Sequence, residues 1–163
     1  MQKVCVILLL AISNRLMSQN LNETISYINT LLKASTYNLV VPEFPSKYDY
    51  IYDAIHVDEH GKIEGVRFLI EKQSGKETNG VMFYAYLKSL QIGHKKDYSD
   101  YYSMSLDCAG FQLCFGGIGV DRTDVTFQVT TASNRDKLYN AFSHLLDLAK
   151  NNKDFYEKDP FGN

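Results

Sequence analysis

The chain has 163 residues, with 17 basic and 19 acidic side chains and a formal net charge of −2. This length supplies one hydrophobic core but is short for two domains of ordinary size, so the sequence predicts a single domain. The slightly acidic balance argues against nucleic acid as a partner, because nucleic-acid-binding proteins need a basic face.

The N-terminus has the pattern of a cleavable export signal. Lys3 precedes an apolar run at 4–12. This run is too short to span a bilayer, which takes about 20 apolar residues. We interpret residues 1–18 as a signal peptide, with cleavage after Ser18 favoured over cleavage after Ser13. We therefore expect a periplasmic or secreted protein with no transmembrane segment after cleavage.

Export leads to an oxidising compartment. Removal of the signal peptide takes away Cys5 and leaves Cys108 and Cys114, which form one disulfide or none. A two-residue hairpin turn at 109–110 would place Leu106 opposite Leu113 and turn the two cysteines to opposite faces. A bulge or a longer turn would reverse that orientation. The sequence leaves both alternatives open.

The mature chain begins with helical periodicity, because Leu21, Ile25, Ile28 and Leu32 recur on one stripe. Segments of period two follow, separated by turn-forming residues, which is typical of antiparallel strands. We expect strands at 51–57, 62–72, 81–87 and 125–130, a hairpin at 102–115, a polar loop at 94–100, and a left-handed glycine at Gly61.

An amphipathic helix closes the domain. Ser133 is the expected N-cap, and Asn151 and Asn152 supply the stop. Between them the apolar residues fall at helical spacing, at Leu138, Ala141, Phe142, Leu145, Leu148 and Ala149. The sequence thus predicts one α+β domain over 19–152 and a polar tail over 153–163.

About six to seven strands in succession, with no crossover helix between them, must pair as antiparallel neighbours. We expect a curled meander or a small barrel, with the N-terminal helix and the C-terminal amphipathic helix packed on it. This plan resembles the pleckstrin-homology-like fold. With the residues 141–145, Ala-Phe-Ser-His-Leu, it is also similar to small, exported, uncharacterised proteins of Gram-negative bacteria. The resemblance implies a fold and no activity.

Two motifs suggest chemistry that their surroundings do not support. His56, Glu59 and His60 have the spacing of an inverted zinc-protease motif, but that motif needs a helix, and here a strand runs into a turn. Gly116 and Gly117 precede a strand rather than a helix, so we interpret them as a bulge or wide hairpin loop and not as a phosphate cradle. We predict no catalytic set, no metal and no cofactor.

Tyrosine gives the best indication of function, since 12 occur with no tryptophan. Tyr50, Tyr52, Tyr84 and Tyr86 fall on strand faces opposite the aliphatic ones, and tyrosine suits recognition surfaces. They are the candidate binding residues. The competing interpretation is structural: aromatic residues favour strands, and the first helix would pack over the Tyr84 and Tyr86 face.

The leading hypothesis is an exported, non-enzymatic binding or interaction module whose partner is a protein, a peptide or a glycan. The alternative is a small hydrolase with a site assembled from distant residues such as His56, His94 and nearby carboxylates.

Overall fold

The computed structural model describes residues 20–35, 48–71, 74–110, 113–117 and 122–155, and the side chains of 48–52 and 69–71 lie outside that description. The predicted signal peptide also lies outside the described residues. Neither described helix combines enough length with enough apolar character to cross a membrane.

The first helix, α1, spans 20–34 and confirms the predicted helical stripe. Ile28, Leu31 and Leu32 are buried in the core, and Leu21 and Ile25 pack against it. A helix of this length is marginal by itself in water, so the burial of this stripe holds it in place.

A side chain of α1 also occupies the edge of the first sheet. The amide of Asn29 donates from Nδ2 to the carbonyl oxygen of Ile55 (2.9 Å), and its Oδ1 accepts from the Ile55 N–H (2.8 Å). Ile55 lies in an edge strand, whose outward main-chain groups would otherwise lack partners. One amide therefore satisfies both outward groups of that residue.

The first sheet, sheet A, is an antiparallel meander of three long strands in the order β1-β2-β3. These strands are β1 (Tyr48–Val57), β2 (Lys62–Glu71) and β3 (Glu77–Tyr86). They confirm the three predicted segments, and at the end of β3 the buried Phe83 and Ala85 alternate with the half-buried Tyr84 and Tyr86.

The turn between β1 and β2 has the chemistry that the sequence predicts. Oδ1 of Asp58 accepts from the N–H groups of His60 and Lys62, both at 2.9 Å. Gly61 has φ of +79° and lies against Phe155, which is buried. The start of the predicted polar tail is therefore anchored on this turn.

We expect Gly61→Ala to destabilise the protein by more than the about 1–2 kcal/mol that a left-handed conformation costs an L-residue. A Cβ at Gly61 would also lie 2.5 Å from Cγ of Phe155. Gly75→Ala is the matched control, since Gly75 has φ of +63° and nothing within 4 Å of the added carbon. Urea unfolding of both variants measures the difference, and equal losses would show that Phe155 adds nothing.

The second sheet, sheet B, corrects the predicted loop and hairpin. Its order is β4-β5-β6, with β4 (Leu90–Asp97), β5 (Tyr102–Cys108) and β6 (Asp124–Val129), and a short 3-10 helix (Leu87–Ser89) separates it from sheet A. The predicted polar loop at 94–100 is wrong, because 94–97 belong to β4. The predicted hairpin is also wrong, because β5 pairs with β4 and β6: Leu106 lies opposite Val125 and not Leu113.

The short segment 113–117 ties the two sheets together. Gly116 and Tyr84 exchange main-chain hydrogen bonds of 2.8 and 2.9 Å, and Phe115 bridges to Arg122 just before β6. Cys114 is bonded to Cys108 at the end of β5, with 5.6 Å between their Cα atoms. The question left open by the sequence is thus answered by a disulfide.

The second helix, α2 (Ala132–Asn151), packs on sheet B. Its N-cap is Thr131, whose side chain accepts from the N–H of Asn134 at 3.1 Å, so the predicted cap at Ser133 is two residues late. Its end at Asn151 is as predicted. Its buried residues form the predicted stripe except that Leu146 replaces Leu148: Leu138, Ala141, Phe142, Leu145, Leu146 and Ala149.

A row of phenylalanine rings runs through the core from one sheet to the other. Phe83 of β3 meets Phe115 edge-on at 5.5 Å and Phe127 of β6 at 6.0 Å, and Phe127 lies 4.9 Å from Phe142 of α2. Gly65 makes room for Phe83, since a Cβ there would lie 2.0 Å from the ring. Both sheets and both helices therefore share one core.

The predicted α+β class is confirmed, with six strands and two helices in the described residues. The predicted single meander and closed barrel are not confirmed, because the described strands form two separate three-stranded sheets. The 3-10 helix causes this break, since Leu87 is buried there and turns the chain from one sheet into the other.

Candidate functional site

The outer face of sheet A carries two of the four predicted binding residues. Phe83 and Ala85 are buried, while Tyr84 and Tyr86 alternate with them and are half-buried on the opposite face. Tyr50 lies in β1 as predicted, and so does Tyr52, but the side chains of both lie outside the described residues.

The ring of Tyr84 is held from two sides. A Cβ at Gly116 would lie 2.4 Å from Cζ of this ring, so the glycine allows the ring to lie flat on the neighbouring segment. Nζ of Lys62 lies 4.8 Å from the ring centre, within the range of a cation–π contact. The ring therefore has a close neighbour on each of these two sides.

Lys62 also forms an ion pair on the same face. Its Nζ lies 2.8 Å from Oε1 of Glu64, and the hydrogen bond with that carboxylate raises the pKa of the lysine above its ordinary value. Both side chains are about one-third exposed, at 32% and 34%. The face thus offers a positive and a negative group beside an aromatic ring.

Apolar side chains extend this face along the sheet. The register of β2 and β3 shifts between Gly65 and Val66, so Val81 lies opposite Val66 and on the same face as Tyr84, where it is 39% exposed. Phe68 further along β2 is partly exposed. An exposed aliphatic and aromatic surface next to polar groups is typical of an interaction site. We call the set Lys62, Glu64, Val66, Val81, Tyr84 and Tyr86 the outer face.

The competing prediction, that α1 covers this face, is wrong for the described residues. The apolar stripe of α1 belongs to the core, where Ile28 shares a cluster with Ile55 and Phe83. Phe83 and Tyr84 are successive residues of one strand and so point to opposite sides of the sheet. The helix and the outer face are therefore on different sides of sheet A.

A second group of tyrosines has a structural role. Tyr98 and Tyr101 stack at 4.4 Å beyond the end of β4, and Tyr102 lies under the guanidinium of Arg135 at 5.6 Å. Nζ of Lys95 lies 4.8 Å from the centre of the ring of Tyr139 on α2. The latter two contacts join the start of α2 to sheet B.

Charged groups reinforce that junction. Asp136 accepts hydrogen bonds from Arg135 and from Lys95, each at 3.1 Å. The bond from Arg135 has the larger effect and the bond from Lys95 the smaller, and both lower the pKa of the Asp136 carboxyl. Arg135 also pairs with Asp97 of β4. This group therefore joins the start of α2 to β4.

The histidine motif folds as a strand that runs into a turn, as predicted. His56 is exposed near the end of β1, and His60 lies in the following turn with Nε2 3.6 Å from Oε1 of Glu59. Among the residues that the structure describes, no group of three or more histidine, cysteine, aspartate or glutamate side chains is placed to hold a metal ion. His144 is exposed on α2.

One cluster at the far end of sheet B has no counterpart in the sequence motifs. Ser105 Oγ donates to Oδ1 of Asp107 (2.7 Å), lies 3.1 Å from Nδ1 of His94, and accepts from the His94 N–H (3.0 Å). A bulge in β4 brings His94 there, and Gly93 is required in it because a Cβ would lie 2.1 Å from Ser105 Oγ. Only the strand register reveals this group.

Comparison with protein-family models, with curated proteins and with solved structures finds no match for this chain. The two candidate surfaces are the outer face of sheet A and the His94 cluster of sheet B.

Proposed function

We propose that this protein is an exported binding module that holds a protein or peptide partner on the outer face of sheet A. The observation that carries the proposal is that Tyr84 and Tyr86 point away from the core, on a face that neither described helix covers. The export signal predicted at 1–18 supports a partner outside the cytoplasm.

The chemistry of the outer face suits a protein partner. Tyrosine contributes a large contact area with few rotatable bonds, so it loses little entropy on binding. The ring of Tyr84 is already fixed against Gly116 and Lys62, which reduces that loss further. The exposed Val81 adds apolar area, and the pair formed by Lys62 and Glu64 adds charge of both signs.

The experiment is affinity capture from the envelope fraction of the native organism, with three baits: the natural protein, a Tyr86→Ala and Val81→Asp double variant, and Tyr27→Ala. Tyr27 is the matched control because it is 47% exposed on α1, away from the outer face. We expect the double variant to bind the captured partner at least about 30-fold more weakly, as for loss of a binding hot spot of about 2 kcal/mol. Tyr27→Ala should bind it as tightly as the natural protein.

Treatment of the captured material separates the two partner classes. A protein or peptide partner is lost on protease treatment and is identified by mass spectrometry, whereas a glycan survives protease and is released by glycosidases. Equal retention by all three baits, or a partner that only glycosidases remove, would overturn the proposal.

The alternative, a hydrolase assembled from His56 and His94, would combine a residue of β1 in sheet A with a residue of β4 in sheet B. His94 alone has a carboxylate within reach through Ser105.

A further inference from the structure

The hydrogen bonds of Ser105 determine which nitrogen of His94 carries its proton. The hydroxyl hydrogen of Ser105 is directed to Asp107, because a carboxylate can only accept. The Ser105 oxygen is then an acceptor toward Nδ1 of His94, which must carry the ring hydrogen. This leaves Nε2 as the unprotonated nitrogen of the neutral ring.

This arrangement positions His94 as a base and does not make Ser105 a nucleophile. Ser105 is fully buried, and its oxygen is shared between the main chain and the ring of His94. His94 is exposed and has no other hydrogen-bond partner among the described residues. Asp107 stands behind the hydroxyl and stabilises positive charge on the ring when Nε2 takes up a proton.

His94 lines an open cleft of about 440 Å³ at the end of sheet B, together with Gln91, Asp107, Thr123 and Asp124. The side-chain amide of Gln91 and the hydroxyl of Thr123 make no hydrogen bond to other described residues. Both are donors that a carbonyl oxygen of a bound molecule can accept from. The buried Cys108, held by its disulfide, forms part of the cleft wall.

We propose that this cleft is a second site, independent of the outer face, in which His94 acts as general base in the hydrolysis of uncharged carboxylic esters. Nε2 takes a proton from water while the water oxygen attacks the ester carbonyl carbon. The bond from that carbon to the alkoxy oxygen then breaks, and the proton on Nε2 passes to the departing alcohol. Ester and water are consumed, and acid and alcohol are formed.

The charge of the cleft selects the substrate. Asp107 and Asp124 lie directly opposite each other on β5 and β6, and neither has a cation within salt-bridge distance among the described residues. The two carboxylates, which line the same cleft as His94, repel phosphate esters and carboxylate-bearing substrates. An activated neutral ester also releases its alcohol without a strong acid. A site with one base can therefore hydrolyse such an ester.

The test is hydrolysis of p-nitrophenyl acetate by the purified mature protein, compared with His94→Gln and with His144→Ala. We expect the rate above buffer to fall by about 100-fold in His94→Gln, the lower end of the contribution of a positioned base. His144→Ala should keep the full rate, since His144 is an exposed histidine of α2 outside the cleft. The rate should also fall in D₂O, because a proton moves in the step, whereas direct attack by the imidazole would leave it unchanged.

Ser105 is a positioning residue, so its test needs a readout that a loss of stability would not move. Nitrogen-15 NMR of His94 should show the ring hydrogen on Nδ1 in the natural protein and the ordinary preference for Nε2 in Ser105→Ala. A rate that is equal in the natural protein and His94→Gln, or a ring hydrogen on Nε2 in the natural protein, would overturn the assignment. The binding proposed for the outer face would be unaffected by either result.

Discussion

Replacing Phe83 by alanine is expected to lower the free energy of unfolding by about 3–5 kcal/mol, the usual cost of truncating a buried phenylalanine. The ring is 2% exposed and contacts Phe115 on one side and Phe127 on the other. Gly65, which faces the ring, has no side chain to move into the cavity. Urea unfolding followed by circular dichroism measures the loss.

Two variants show whether the cavity causes that loss. Phe83→Leu should cost clearly less than Phe83→Ala, because the leucine fills most of the space. Val81→Ala, at an exposed position of the same strand, should change the free energy of unfolding by about 0.5 kcal/mol or less. If Phe83→Ala cost no more than Val81→Ala, the row of rings would not be what holds the two sheets together.

Arg67→Met is expected to cost about 3 kcal/mol, because it leaves the carboxylate of Asp53 buried without a counterion. Asp53 is 6% exposed, and its two oxygens accept from Nε and Nη2 of Arg67 at 2.8 and 3.0 Å. The side chain of Arg67 is 37% exposed, so water reaches the site and keeps the cost at the lower end of the range for buried pairs. Guanidinium unfolding provides the measurement.

The double variant Asp53→Leu and Arg67→Met separates the buried charge from the loss of packing. It should recover most of the stability lost in Arg67→Met, since no charge is left inside. Lys62→Met breaks the partly exposed pair with Glu64 and should cost no more than about 1 kcal/mol. A double variant as unstable as Arg67→Met would mean that the arginine stem, and not the charge, provides the stabilisation.

The elements that the sequence predicts well are those with one face in the core. Helices α1 and α2 and strand β6 each present a regular apolar stripe, so local periodicity is enough to find them. Strands β1, β2 and β3 each place at least one apolar residue in the core: Ile55, Ile63, Phe83 and Ala85. Local periodicity does not find strand β4, because its bulge shifts the alternation. Ile92 lies opposite Leu106 and Lys95 lies opposite Met104, so residues three apart in β4 face the same side of sheet B. The last four residues of β4, His94 to Asp97, are polar and exposed, which is also the pattern of a loop.

The wrong hairpin has a different cause. Residues 111–115 match β5 locally, but β6 offers core-facing partners along the whole strand, with Val125, Phe127 and Val129 opposite Leu106, Met104 and Tyr102. Pairing over this length satisfies more main-chain groups than a short local hairpin. That choice is between distant segments, which periodicity within one segment does not register.

The two candidate sites differ in the same way. Tyr84 and Tyr86 are predictable because the position of a residue within one strand determines its face. His94 meets Ser105 and Asp107 only when the register of β4 against β5 and the bulge at Gly93 are known. Serine and aspartate two residues apart in a strand carry no signal by themselves.

The amide of Asn29 has a consequence for association between copies. An open strand edge invites pairing with the edge of another molecule, which is how sheets extend into fibrils. At Ile55, near the C-terminal end of β1, both main-chain groups that such a neighbour would use are already bonded to Asn29 of α1. Pairing of another copy at this position of β1 would therefore require the side chain of Asn29 to move away first.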